Sequence, residues 1–394
     1  MKIRQLRLYL FPLEDLHCGF GLQQGNILPS LPFVPGRVLR GGLAGWAIRR
    51  GRVKSNGDTL FEKLFLPKPS SEDYKISYPF CTYRGNFPSP LSLFDKKGSS
   101  EEPVSIMLGE RRRAISKNGS LSAGGAIDFL RRVDWPSMVD NTLKPLSGQV
   151  DRSGFFTPAS PLKVDLRNRH EDTGKVGQNG LFGEEALLAA NALRPEEHYY
   201  SGSLVFEEKE EILKVFSPLL DATFLRPNQA IRRDIFDVLD PLRMLFLGHR
   251  RVPVVVFATD LGSIDTDNGD LPTSLERSIN ENEFTWTAMS DIVPLSAPPY
   301  PLSADMLNKA LPPLNCTKKR VFCSRGWAYG FDTASGKDLL PVSTIGAGSC
   351  GRFEGCLDEK TVRVLWGKSM IGMGKNTRDG FGRFEINWDL RDIT

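Results

Sequence analysis

The residues best suited to chemistry lie near the end of the chain, in the run GMGKNTRDGFGRFEI at 372–386. Gly372, Gly374, Gly380 and Gly382 permit positive φ and close approach to backbone N–H groups, while Lys375, Arg378 and Arg383 supply positive charge. These are the materials of a phosphate cradle. The GxxxxGK[ST] order of a P-loop is absent, and the run precedes a strand instead of opening a helix, which excludes a dinucleotide fingerprint. A plain surface hairpin fits the spacing equally well. A second run, VPGRVLRG at 34–41, sets Gly36, Arg37 and Arg40 at the start of an expected helix. Helix-end N–H groups and guanidinium donors there suit phosphates. Its plain reading is an amphipathic helix with a solvated basic face.

Candidates for catalysis are fewer. The four histidines (His17, His170, His198 and His249) have no sequence neighbour that defines an acid/base pair, and the best constellation is Glu14, Asp15 and His17. The six cysteines are scattered without a CxxC pair, which argues against a zinc site and a disulfide framework. No metal or other cofactor is expected.

These residues need elements to hold them. Leu6, Leu8 and Leu10 alternate with Arg7 and Tyr9, a strand period over 3–11. That pattern is unlike the apolar core of a signal peptide, so a cytoplasmic location is expected. Pro32 and Pro35 keep the backbone extended ahead of Gly36, and the spacing of Val38, Leu39, Leu43, Ala47 and Ile48 predicts a helix over about 37–50, closed by Gly51. Gly41, Gly42 and Gly45 weaken that helix unless a neighbour packs closely on its backbone. Strands are expected at 199–206, 252–257, 283–289, 320–323 and 383–387, with helices near 231–246 and 304–310 and an element of unassigned type at 361–366. Turn residues make 67–160 read as an irregular insertion with short ordered pieces at 104–107 and 126–133.

A length of 394 residues suits two domains of roughly 100–200 residues each. With 40% hydrophobic and 25% charged residues, wholesale disorder is excluded, and no apolar run approaches the roughly 20 residues of a membrane helix. The net charge of +4 hides segregation. No acid lies between Leu16 and Gly57, where Arg37, Arg40, Arg49, Arg50, Arg52 and Lys54 fall, whereas 258–295 carries eight acids against Arg277 alone. Such a division suits a polyanion-binding face. The expected organisation is α+β, with a first domain at 1–258, a solvated acidic linker at 259–282 and a second domain at 283–394.

The two basic glycine runs, in this order, resemble the RAMP superfamily of CRISPR-associated proteins. PFVPGRVLRGGL matches that family's proline-glycine loop and basic helix after the first strand, and GMGKNTRDGFGRFEI its glycine-rich loop before a late strand. FLGHRRVPVVVF at 246–257 is similar to a degraded copy of the second loop, and HEDTGKVGQNGLF at 170–182 to the family's extended hairpin, placed at about 162–191. GWAYGFDTASGKDLLPVSTIGAGS at 326–349 resembles the two-domain subunits of type III, particularly subtype III-D, effector complexes. The resemblance covers about half of the chain. It implies tandem ferredoxin-like (RRM-like) βαββαβ domains and a non-catalytic subunit that binds CRISPR RNA, with complementary target RNA and other RAMP and large subunits as partners. The RNA-binding residues implied are Gly36, Arg37, Arg40, Arg167, Arg169, His170, Lys175, His249, Arg250, Arg251, Gly372, Gly374, Lys375, Arg378, Gly380, Gly382 and Arg383. Trp46, Phe381 and Phe384 are expected either to stack on bases or to pack in the core. One departure is that glycines after Gly248 are replaced by HRRVP, which passes phosphate binding there to Arg250 and Arg251. The alternative is an endoribonuclease using Asp15 and His17.

Overall fold

The computed structural model describes residues 1–19, 27–28, 30–55, 57–66, 75–88, 91, 93–96, 127–128, 143–145, 149–150, 156–157, 162–170, 176–189, 198–220, 243–248, 250–279, 283–295, 304–311, 314–332, 337–355 and 357–387. The main described elements of the first half, short strands such as Phe33–Val34 and Leu93–Lys96 apart, are β1 (Lys2–Pro12), α1 (Gly36–Arg49), α2 (Thr59–Phe65), β2 (Ile76–Ser77), β3 (Cys81–Tyr83), β4 (Leu162–His170), β5 (Val176–Leu187), β6 (Tyr200–Glu207), α3 (Glu210–Phe216), β7 (Met244–Leu247) and β8 (Val252–Asp265). Those of the second are α4 (Thr273–Ile279), β9 (Glu283–Ala288), α5 (Ala304–Ala310), β10 (Thr317–Phe322), β11 (Arg325–Asp332), β12 (Lys337–Ile345), β13 (Cys350–Glu354), α6 (Glu359–Ile371) and β14 (Phe384–Ile386).

Mixed α and β structure is thus arranged around antiparallel sheets. β1 lies between β8 and β6, antiparallel to both, and β2 and β3 continue the sheet beyond β6. The strand alternation is why it holds this place: Leu6, Leu8 and Leu10 are fully buried and join Leu39, Leu43 and Trp46 of α1 and Ile212 and Phe216 of α3 in one core. In the second half the order is β10–β13–β9–β14, again all antiparallel. Its core unites Phe284 and Trp286 of β9, Leu307 of α5, Phe353 of β13, Val362 and Leu365 of α6 and Phe384 of β14. Set aside α2, β7 and the β4–β5 hairpin in the first half, and α4 and the β11–β12 hairpin in the second. With β2 and β3, which pair in turn along the same edge of β6, counted as one interrupted strand, each half then runs β–α–β–β–α–β, with its first strand between the third and the fourth. No helix among the described residues is long and apolar enough to cross a membrane.

Several expectations change. The expected acidic linker at 259–282 opens as strand: β8 continues to Asp265, paired with β1 across a bulge at Leu261. Asp260 forms an ion pair with Arg4, and the carboxylate of Asp265 accepts the N–H groups of Asp267 and Asn268. A turn and α4 follow, and Leu275 of α4 packs in the second core. Local acidity misled because each of these carboxylates has a long-range or turn partner that no local pattern shows. Residues 244–246, expected as helix, lie in β7, while 221–242 lie outside the described residues. The element at 361–366 belongs to α6, which Asp358 caps by accepting the Thr361 N–H at 2.7 Å. The expected insertion at 67–160 begins too early: Ile76, Tyr78 and Cys81 lie in the first core, and β2 and β3 pair with β6. Beyond residue 88 short strands such as Ile127–Asp128 and Leu143–Pro145 are described, and 104–107 lies outside the described residues.

Candidate nucleic-acid interface

The glycine-rich loop between α6 and β14 does not face solvent as a cradle. It is pressed against the first half. The N–H groups of Gly372, Gly380 and Gly382 donate to the carbonyls of Lys368, Thr377 and Asp291, and those of Met373 and Lys375 to Gly382 and Val293. Donors so engaged have no hydrogen left for a phosphate oxygen. Gly372, Gly374, Gly380 and Gly382 all have φ between 80° and 109°, so glycine answers a turn requirement here. A Cβ on Gly380 would land on the carbonyl oxygen of Tyr78, and one on Gly36 would meet both that oxygen and the Asp379 carbonyl. The first turn of α1, the 76–80 segment and the loop therefore touch backbone to backbone, sealed by the Tyr78 N–H donating to the Arg378 carbonyl at 2.8 Å.

Three of the arginines expected on RNA are consumed at this seam. Arg40 Nε lies 2.9 Å from an Asp379 carboxylate oxygen, and its Nη1 donates to the Phe65 carbonyl at 2.6 Å. Arg378, 5% exposed, donates to the Leu66 carbonyl at 2.7 Å. Arg383 reaches from the second half to the carbonyls of Ser203 (2.7 Å) and Ser77 (3.3 Å). Burial pushes its pKa down to about 10, so it remains a cation at neutral pH. Arg37 is half-buried, its guanidinium 5.9 Å from the Phe381 ring centre. Burial lowers its pKa, Asp379 opposes that shift and Arg40 adds to it. Of the loop's expected cations, Lys375 alone has an exposed side chain. Of the two roles expected for the aromatic residues, core packing is the one found: Trp46 is 1% exposed, Phe381 5% and Phe384 0%. Phe381 packs edge-on against Phe80, 5.0 Å between centres, across the same seam.

A different surface gathers exposed cations. The β7–β8 hairpin turns at Gly248 to Arg251, with φ of 71° and 52° at those two residues. α1 lies on it because Gly42 allows close approach: a Cβ there would strike the Leu247 side chain and come within 3.2 Å of the Phe246 carbonyl. That contact explains a glycine in a helix interior. It brings the C-terminal end of α1 beside the hairpin tip, and Arg49 stacks on Phe246 at 4.9 Å. Arg49, Arg250 and Arg251 are exposed, and so is Phe246 at 42%. Partial burial, then the charges of Arg50 and Arg251, pull the Arg49 pKa down. Like charges crowded beside an exposed ring suit a polyanion with stackable bases. Of this group, sequence reasoning reached Arg250 and Arg251 and missed Arg49, Arg50 and Phe246. The acid-free run at 16–57 held the signal, but not which of its arginines would stay exposed.

The other expected residues are placed less fully. Arg167, Arg169 and His170 lie in β4, which forms an antiparallel hairpin with β5, His170 opposite Val176. Lys175 and His249 lie outside the described residues. Asp15 accepts the Ala189 N–H at 2.9 Å, and His17 Nδ1 donates to the Glu185 carbonyl at 2.7 Å. Both tie the loop after β1 to the end of β5. Among the described residues no group of three or more metal-ligating side chains occurs.

No family model matches the chain, and no curated protein matches it. Solved structures do. A chain from the structure of Type III-B Cmr-beta bound to cognate target RNA and AMPPnP is 13% identical, with 88% of this chain and 86% of that chain covered and a TM-score of 0.41. The CRISPR associated protein Cas6 is 8% identical over 97% and 98%, with a TM-score of 0.34. A chain of the Csm3-Csm4 subcomplex in the type III-A CRISPR-Cas interference complex is 11% identical over 91% and 95%, with a TM-score of 0.30. Scores of this size leave the fold to be argued from the chain's own topology.

Proposed function

We propose that this chain is a non-catalytic RNA-binding subunit of a type III CRISPR effector complex, built from two ferredoxin-like RAMP domains. The matching β–α–β–β–α–β order and strand order of the halves support the tandem domains. The first domain extends through β8 to Asp265, and α4 belongs with the second, since Leu275 packs there. The sequence motifs support the superfamily, with subtype III-D as the finer reading. CRISPR RNA and complementary target RNA are its nucleic-acid partners, and other RAMP and large subunits its protein partners. Asp15 and His17 are loop anchors in this reading, and no cleavage is assigned to them.

The observation that carries the reading is Arg49 stacked on exposed Phe246 with Arg50 and Arg251 close to it and exposed Arg250 beside Arg251 at the hairpin tip. Phosphate contacts from arginines give salt-dependent, sequence-independent affinity, and an exposed ring adds stacking on any base. The test is titration of labelled single-stranded RNA of unrelated sequences against Arg49→Ala/Arg250→Ala/Arg251→Ala over a range of salt. The variant should bind all of them more weakly, and its log–log salt slope should fall by about 0.7 for each phosphate that the arginines no longer neutralise. An unchanged slope would overturn the assignment.

A further inference from the structure

A second feature of the surface is unlike the arginine cluster. Between the N-terminal end of β1 and one face of α6 runs a groove of about 1020 Å³. One wall carries Met1, Lys75 and Asp267 of the first half, and the other is the Glu359-to-Ile371 face of α6. Its volume is at the upper limit of pockets that take small ligands, about 300–1,000 Å³.

Its charges do not balance. The two acids that line it are occupied: the Met1 amine pairs with Asp267, and Glu359 with Arg363 at 2.7 Å, while Arg363 also donates to the Gly269 carbonyl at 2.9 Å. Lys75, Lys360 and Lys368 line the groove with exposed side chains, and none of them forms an ion pair among the described residues. The same lining carries the aliphatic side chains of Leu295, Val364 and Ile371, together with Met1, Met373 and the hydroxyls of Thr266 and Thr377. Val364 and Ile371 are half-buried, and Leu295 is 55% exposed, the most exposed large apolar side chain among the described residues. A surplus of positive charge beside partly uncovered aliphatic side chains is a combination in want of a partner.

The type of partner follows from what the groove lacks. Among the described residues no aromatic ring lines it for a base to stack on, and the one arginine among them is held by protein oxygens. Lysine ammonium groups can pair with phosphates, but RNA bound that way would leave the aliphatic side chains uncovered, and the groove presents neither a stacking face nor a free guanidinium fork to a base. Leucine-like side chains flanked by carboxylates would satisfy both parts of the groove at once. We infer that this groove docks a segment of a partner protein that presents aliphatic side chains between acidic ones. This goes beyond RNA binding, and it stands whether or not the arginine cluster binds RNA.

Three probes test it on the full chain by fluorescence anisotropy: a labelled synthetic peptide of Glu–Leu amphipathic repeats, a poly-glutamate peptide of equal length, and single-stranded RNA. The Glu–Leu peptide should bind more tightly than poly-glutamate. Its affinity should fall at least about tenfold in Lys360→Glu/Lys368→Glu and again in Leu295→Asp. RNA affinity should be unchanged in both variants. All three side chains are exposed, so thermal melts should match the parent protein. The inference is overturned if the Glu–Leu peptide does not bind, if poly-glutamate binds equally well, or if the variants bind the peptide as the parent does. Loss of RNA in these variants would overturn it too, by making the groove a nucleic-acid site. Failure of the RNA reading has its own signature, an unchanged salt slope in the Arg49, Arg250 and Arg251 variant.

Discussion

Gly380 shows how one residue type serves two unrelated purposes. A loop rich in glycine and arginine can cradle a phosphate with its N–H groups, or it can bring two pieces of backbone into contact. Here the second use prevails at Gly380, whose φ is 87° and whose missing Cβ is replaced by the Tyr78 carbonyl. Gly380→Val must leave the left-handed region or displace the 76–80 segment, and each carries a strain of about 1–3 kcal/mol. Chemical denaturation should therefore show a loss of about 2–4 kcal/mol in stability. RNA affinity of the folded fraction should hardly change, since the arginine cluster lies elsewhere. A variant of normal stability that loses RNA would return the cradle to the loop.

At the scale of elements, α1 links the two basic regions. Its first turn is locked in the seam through Gly36 and Arg40, and its last turn carries Arg49 and Arg50 to the hairpin tip. The seat of the helix on β7 depends on Gly42. In Gly42→Val the added side chain has no room beside Leu247, which is 1% exposed, and overpacking of this kind costs about 1–3 kcal/mol. Thermal melting should show that loss. RNA affinity should fall with it, because the helix end and the hairpin tip are pushed apart. Normal affinity in a destabilised Gly42→Val protein would mean that Arg49 and Arg251 act independently.

For the whole molecule, the seam ties the two cores to each other. Arg40 and Arg378 hold the 65–66 backbone and Asp379, Arg383 holds Ser77 and Ser203, and the Met1 amine holds the turn after β8. Removing a cation from such a site takes a donor from part-buried carbonyls, up to about 1–3 kcal/mol for each group that finds no other. Arg40→Ala/Arg378→Ala/Arg383→Ala should split a single calorimetric transition into two, one for each core. A single transition in this variant would show that β1, β8 and α6 couple the halves without the arginines.

Much of the local structure could be read from the sequence. The alternation of Leu6, Leu8 and Leu10 specified β1, the 3–4 spacing of Leu39, Leu43 and Ala47 specified α1, and 304–310 was a helix in both readings. The positive φ values of the loop glycines were legible for the same reason, because backbone preference belongs to the residue itself. Exposure is of another kind. Arg383 and Arg251 look equally available in a string of letters, yet one reaches carbonyls 306 and 180 residues away and the other stands in solvent. The same holds for Asp260, read as solvated linker and found in a strand against Arg4, 256 residues distant. Only the tertiary structure decided which charges are spent on the protein and which remain for a partner, because a buried ion's counter-group comes from whatever chain segment folding brings within a few ångströms.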